Sequence, residues 1–413
     1  MRRYVTPFVI ALLSFGWYGC EEVWNGNQPP NITSPTSTTA ILDLPFSYTP
    51  SAEDPENDAI EFVYSGLPDW LVVDGSIVRG IPESTGTYQF HVTVEDTEGE
   101  SDQITVTIDV KSNASLLGEV VAAVSIDSLL ETVNALSGNT LVQIFDFPHY
   151  ISTRVGWFIN NEFAAQYLEW KLNSFGLLAG RYNYSETGSN VIALQQGSVY
   201  PDSIYIIGAH YDDANVPPDG RVSPGADDNA SGVAAVIEVA RILSQYTCRY
   251  TILYALWDEE ETGLEGSEAY AAHTLDCEMK IAGVINLDMI AYDSNDDGAM
   301  VISKSYHGRS SQMGDQAAGM IELFDLALEP NINTDVIGSD NISFDALGYS
   351  TITIIEDIYT DINAYTHSRE DTIDKFNNAY YHRMTRLVIA TLANLAGIEQ
   401  EGSLLPSTFW FCV

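Results

Sequence analysis

Basic side chains are scarce in this chain. Of 413 residues only 17 are Lys or Arg, against 58 Asp or Glu, for a formal net charge of -41. Such a surface repels phosphate backbones, which argues against a nucleic-acid-binding role. The plainest use of the excess acid is solubility in surroundings where counterions screen self-repulsion. Cysteine is also sparse, with four residues, and none has the setting that activates a thiol nucleophile. Apart from the N-terminus, no apolar run is long enough to span a bilayer. Internal repeats and long low-complexity tracts are missing as well. Aromatic residues are plentiful, with 23 Tyr, 15 Phe and 7 Trp, which excludes a disordered acidic chain. The length suggests roughly two or three domains.

The first 20 residues read as an export signal. Arg2 and Arg3 precede an apolar stretch from Val5 to Gly19, which ends at Gly19-Cys20. A small residue before Cys resembles a bacterial lipoprotein cleavage site, with Cys20 as the lipidated residue and the membrane anchor. Trp17 and Tyr18 depart from the small or aliphatic residues usual there, and ordinary secretion with nearby cleavage is the alternative. The expected location is the cell surface or outer membrane, or the periplasm or medium. Export permits disulfides. Cys248 and Cys277 each precede an apolar run, so a bridge between neighbouring strand starts is expected.

Residues 27–112 have an all-β pattern. Tyr88, Phe90, Val92 and Val94 alternate with other residues, as do Ile104, Val106, Ile108 and Val110, the period of a half-buried strand. Turn signals such as Asp54-Pro55, Gly80-Ile81-Pro82 and Glu98-Gly99 separate the strands, which suggests a β-sandwich. The segment resembles the immunoglobulin-like, cadherin-related modules of bacterial exported proteins. The resemblance rests on Pro29-Pro30-Asn31-Ile32, Ala52-Glu53-Asp54-Pro55, Leu67-Pro68-Asp69-Trp70-Leu71 and Gly86-Thr87-Tyr88. Asp54, Asp58 and Asp96 have the chemistry to hold calcium, but ordinary turn chemistry is the preferred reading.

Residues 118–400 read as an α/β domain with a mostly parallel central sheet flanked by helices. Ser203–Gly208, Tyr250–Leu256, Ile281–Leu287 and Thr351–Ile355 are the expected strands. Helices are expected over Ser125–Leu136, Asn160–Leu172, Gly232–Ser244 and Gly266–His273. Four clusters stand at or just beyond the strands' C-terminal ends, where open α/β sheets place ligands. They are Gly208-Ala209-His210-Tyr211-Asp212, Pro224-Gly225-Ala226-Asp227-Asp228-Asn229, Glu259-Glu260-Glu261-Thr262-Gly263-Leu264 and Asn286-Leu287-Asp288-Met289. A fifth, Tyr365-Thr366-His367-Ser368-Arg369-Glu370-Asp371-Thr372, supplies a second His. Gathering so many carboxylates is costly without positive charge, and no Lys or Arg adjoins the first four clusters. A divalent metal is the obvious compensator, and mixed His and carboxylate donors suit zinc.

In order and wording, the five motifs are similar to the two-zinc exopeptidase family of secreted bacterial leucyl aminopeptidases, plasma glutamate carboxypeptidase and glutaminyl cyclases. The resemblance implies two Zn2+ and a peptide substrate. His210 and Asp288 would bind the first zinc, Glu261 and His367 the second, and Asp228 would bridge them. Glu260 would be the general base, and Asp212 would orient the His210 imidazole. Asp227 is then the variable neighbour of the bridge, and Glu259 an extra, solvated acid. The implied reaction is metal-assisted hydrolysis, most simply by an aminopeptidase. Glutaminyl cyclisation, or carboxypeptidase or dipeptidase action on the same metals, are the alternatives. Asn341 stands where many relatives carry His, and the Ser339–Phe344 segment is expected to border the substrate pocket.

Overall fold

The computed structural model describes residues 27–401 except 43–45, 145–146, 217–220 and 336. The export signal, Cys20 and Cys412 lie outside the described residues. The described chain separates into two compact units. One is drawn from residues up to Thr38, Ser47–Gly80 and Tyr88–Ile108, the other from Thr39–Phe46, Ile81–Thr87 and Asp109 onward.

The N-terminal region is all-β. A four-stranded sheet runs in the order Ser37–Ile41, Ser101–Lys111, Gly86–Asp96, Ile60–Ser65, and a three-stranded sheet in the order Phe46–Tyr48, Ile77–Gly80, Leu71–Asp74. Phe90, Val92 and Val94 alternate inward with Val106, Ile108 and Val110, and all six are buried. Their period of two puts one face of each long strand into the core. Tyr48 meets Phe90 edge-on, with ring centroids 5.6 Å apart.

The larger unit is built on an eight-stranded sheet. Its strands are β1 (Leu178–Asn183), β2 (Ser189–Gln195), β3 (Tyr200–His210), β4 (Tyr250–Trp257), β5 (Lys280–Asp288), β6 (Ala299–Lys304), β7 (Glu329–Asn333) and β8 (Thr351–Glu356). The spatial order is β1-β2-β4-β3-β5-β8-β6-β7. The four central strands β4, β3, β5 and β8 are mutually parallel. Antiparallel pairings attach β1 and β2 on one side and β6 on the other, so the sheet as a whole is mixed.

Both faces of the sheet are covered, which is why the central strands read as unbroken apolar runs. Tyr205, Ile207, Ile252, Tyr254, Leu256, Ile285 and Leu287 join a large core on one face. That core also takes residues from helices α1 (Asn113–Ala122), α2 (Ile126–Leu136), α3 (Ile159–Ser174), α4 (Gly232–Leu243), α6 (Ser310–Leu323) and α8 (Asn378–Ala396). Ile204, Ile206, Leu253, Ala255 and Trp257 point to the other face. There they meet Tyr270 and Ala271 of α5 (Glu265–Asp276) and Phe344 of α7 (Asn341–Asp345). Polar caps start several helices. Ser112, Ser125 and Asn377 side chains accept from backbone N–H groups three residues on, at the heads of α1, α2 and α8.

The expected Cys248–Cys277 bridge does not exist, and Cys248 is a free thiol. Cys248 is buried in the core on the α4 and α8 face, whereas Cys277 caps the C-terminus of α5 on the opposite face. Nearness to strand starts in sequence said nothing about the side of the sheet. Among the described residues, no helix is long and apolar enough to cross a membrane.

Candidate metal centre

The parallel strands deliver the site. His210 is the last residue of β3, and Asp288 the last of β5. Glu260 and Glu261 follow the end of β4 at Trp257, and His367 lies in the loop after β8. Asp228 sits in the irregular turn Ala226–Ser231 that leads into α4. These residues, more than 150 positions apart at the extremes, gather in one place. His210 Nε2 lies 3.3 Å from Asp228 Oδ1 and 3.5 Å from Asp288 Oδ1. His367 Nε2 lies 3.1 Å from Asp228 Oδ2 and 3.0 Å from Glu261 Oε2. The donor atoms form two triads, His210–Asp228–Asp288 and Asp228–Glu261–His367, each within 4.8 Å. Asp228 belongs to both and presents one oxygen to each. Glu260 joins a third grouping with His210 and Glu261.

The electrostatics match this geometry. Burial alone would raise the Asp228 carboxyl, but the His210 and His367 imidazoles outweigh it and hold it well below the usual range. Hydrogen bonds to Asp228 and Glu261 push His367 up to about 10. Burial works against a charged His210, yet Glu260, Asp212, Asp228 and Asp288 raise it far above its ordinary value. Burial also raises Glu260 strongly; His210 pulls it back, while Asp340, Asp288 and Asp212 push further. Each imidazolium thus stands between two carboxylate oxygens, where a cation is wanted. Replacing the proton by a metal leaves a neutral imidazole nitrogen and carboxylate oxygens, the mixed set that zinc takes. Glu261 Oε1 is buried without a hydrogen-bond partner, a further free donor for a cation. The residues therefore fit zinc. His210 is buried, while the His367 side chain is 59% exposed, so the centre opens on the His367 side.

The surrounding structure holds these groups in place. Asp212 Oδ1 accepts from the Glu260 N–H at 3.0 Å, and Oδ2 from the Glu261 N–H at 3.2 Å. Asp212 was expected to orient His210, and its Oδ1 stands 3.4 Å from Nδ1. The same carboxylate also holds the backbones of the two glutamates. Asp371 Oδ1 accepts from Asp227 N and Oδ2 from Asp228 N, at 2.9 and 3.1 Å. Asn229 donates to Leu287 O at 2.9 Å and accepts from Gly232 N at 3.0 Å. The Asp228 carboxylate is therefore not spent capping α4. Asp227 accepts from Ala291 N and Asn363 Nδ2, which ties the turn to the segments carrying Asp288 and His367.

Behind the turn lies Arg154, fully buried. Its guanidinium donates to the carbonyls of Tyr211, Leu136, Pro224 and Gly225 at 2.6 to 2.9 Å. Its backbone N–H donates to Asp213 Oδ2 at 2.8 Å. Gly225 has φ +55, and a Cβ there would come within 2.5 Å of Arg154 Nη2, so the close approach requires glycine. Asp371 stood in the fifth motif without an assigned role; nothing in the sequence marked Arg154.

Glu259 is not the solvated acid expected. It is half-buried, and Tyr184 Oη donates to its Oε2 at 3.0 Å. Asp340, beside Asn341, is buried with both carboxylate oxygens unpartnered. Burial raises it, His210 opposes, and Asp288 and Asp212 add to the rise, which places Asp340 in the field of the centre. Asn341 is also buried. Among the described residues, none of His91, His149, His273, His307 and His382 joins a metal-binding grouping.

Comparison with known proteins places this geometry. Residues 190–392 match the model described as Peptidase family M28, and residues 29–111 the model of a putative Ig domain. The region matched by the peptidase model carries all seven assigned residues. Over 112 residues the chain is 38% identical to a probable zinc metalloprotease of Pyrenophora teres f. teres, covering 27% of this chain and 24% of that protein. It is 28% identical over 225 residues to the aminopeptidase YwaD of Bacillus subtilis, 52% of this chain and 47% of that one. The chain thus spans about a quarter to a half of the length of these relatives. In fold it is similar to the Legionella pneumophila LapA aminopeptidase, with a TM-score of 0.58 at 20% identity over 68% of this chain and 75% of that one. It is also similar to a Bacteroides thetaiotaomicron glutaminyl cyclase, with a TM-score of 0.53 at 19% identity over 66% and 98%.

Proposed function

We propose that this protein is an exported aminopeptidase that holds two zinc ions and hydrolyses N-terminal residues from peptides. The observation that carries the reading is the Asp228 carboxylate, which turns one oxygen to the His210–Asp288 pair and the other to the Glu261–His367 pair. His210 and Asp288 would complete one zinc site, Glu261 and His367 the other. Bound zinc supplies Lewis acidity toward the peptide carbonyl and makes water a better nucleophile at neutral pH. Glu260 takes the proton of the attacking water and returns it to the leaving amine. In the metal-free chain, burial raises the proton affinity of Glu260. Asp212 fixes the backbone of Glu260 and Glu261, so base and ligand keep one spacing. The carboxylates around the centre favour a substrate ammonium over a substrate carboxylate, which supports amino-terminal rather than carboxy-terminal specificity.

Export rests on Arg2-Arg3, the apolar stretch to Gly19, and Cys20. Cys20→Ala should release a lipidated protein from the membrane; unchanged fractionation would remove the anchor from the account. The activity is tested with leucine p-nitroanilide and its N-acetyl derivative. Hydrolysis of the free amine alone, lost in Glu260→Gln with zinc retained, is expected. Cyclisation of N-terminal Gln without peptide hydrolysis would replace this reading by the glutaminyl cyclase one.

A further inference from the structure

A groove of about 630 Å³ lies between α3, the edge strand β1 and the short strand Val142–Ile144. None of its lining residues belongs to the metal centre. From this groove we propose a second binding site, one for a neutral oligosaccharide.

The lining chemistry selects the ligand. Trp170 is 60% exposed, a large flat apolar face left open to water on an otherwise acidic protein. Tyr167 packs beside it, with ring centroids 6.2 Å apart, and limits its motion. Around this face stand groups that both donate and accept. The Gln143 and Asn183 amides are exposed and carry two donors and an acceptor each. Gln166 Oε1 is screened from solvent and has no partner, while its Nε2 is held by Glu162 at 2.7 Å. The one arginine is already paired with carboxylates. Arg181 donates to Glu169 at 2.9 Å and to both Glu162 oxygens at 3.4 Å. That arrangement neutralises the guanidinium and presents two oriented carboxylates.

Other ligand classes fit less well. Two acids against one arginine repel phosphates and nucleotides. An apolar peptide helix would find only Trp170 and Ile144 to bury against. A sugar ring has an apolar C–H face for Trp170 and hydroxyls that donate to carboxylates and exchange hydrogen bonds with amides. The volume lies within the range of small-ligand sites, and takes two or three rings. Unlike the catalytic cleft, the groove requires no metal.

The test is isothermal titration and saturation-transfer NMR of the full zinc-loaded chain with chitotriose, cellotriose and maltotriose. Saturable binding of at least one of them is expected. Trp170→Ala should weaken it by about tenfold or more, while Trp170→Phe retains part of it and Gln143→Ala loses several-fold. Peptidase activity of the three variants should match the parent, since none touches the metal centre. No saturation by any of the three up to about 10 mM would overturn the proposal. So would unchanged binding in Trp170→Ala and Gln143→Ala, or occupation of the groove by a peptide instead.

Discussion

Replacing Arg154 by methionine tests how the metal centre is supported. The guanidinium binds four backbone carbonyls, and two of them, Pro224 and Gly225, immediately precede the turn bearing Asp228. Methionine keeps much of the length and removes every donor of the side chain. Four buried carbonyls lose a partner, and Asp213, 3.9 Å from the guanidinium, loses its positive neighbour. Breaking a buried charged network from one side costs about 3–5 kcal/mol. For a domain of this size that lowers the melting temperature by on the order of 10 °C. The cost should depend on pH. Burial pushes Asp213 up to about 7 even though Arg154 pulls it down, so the variant should push it further. A raised folded-state value means the folded form binds the proton more tightly, and stability is lost as pH rises from about 4 through 7 and beyond. Arg154→Met should therefore be less destabilised at pH 5 than at pH 8. Loosening Gly225 should also weaken zinc retention by about 10–100-fold. Urea unfolding of metal-free and zinc-loaded protein at both pH values measures all of this. A loss below about 1 kcal/mol, within the range of a surface substitution, would refute the assignment of Arg154 as the anchor of the turn.

Glu260→Gln should retain zinc and lower turnover by about 10²–10⁴-fold; undiminished turnover would remove Glu260 as the base. Asp228→Ala should lose affinity for both metals at once, whereas Asp288→Ala should weaken one equivalent more than the other, as metal titration would show. Without metal, stability should fall as pH rises from about 4 to about 10. The raised Asp371, near 7, and the raised His367, near 10, both favour protonated folded forms; zinc should abolish most of that slope in thermal melts. Removing residues 21–112 should leave hydrolysis of small substrates intact, because every assigned residue lies beyond them. Alkylation of the denatured, unreduced protein should modify Cys248.

The central strands were legible because both their faces are buried, which makes Ile252–Trp257 and Ile281–Leu287 continuous apolar runs. The sheet edges were not. β1, Leu-Ala-Gly-Arg-Tyr-Asn, and β7, Glu-Pro-Asn-Ile-Asn, are short and mixed, with no period to read. Helix α8 hides its amphipathicity by being buried on most of its circumference. Most of the metal-binding residues stood out because they follow closely on a buried strand or introduce a helix, where a polar side chain must have a reason; His367 lies in the loop after β8 and stood out only through its motif. Their support was opaque: Arg154 is isolated in sequence, and its partners become visible only when Leu136, Tyr211, Pro224 and Gly225 converge on it. The disulfide expectation failed for a related reason, since sequence order does not say which face of a sheet a residue meets.

The most direct test of the central claim is a zinc titration of the metal-free full chain, followed by bound metal per chain and by hydrolysis of leucine p-nitroanilide. Full activity at two equivalents of zinc, with the N-acetyl substrate untouched, is the predicted result. Saturation at one equivalent, with cyclisation of N-terminal Gln in place of hydrolysis, would contradict it.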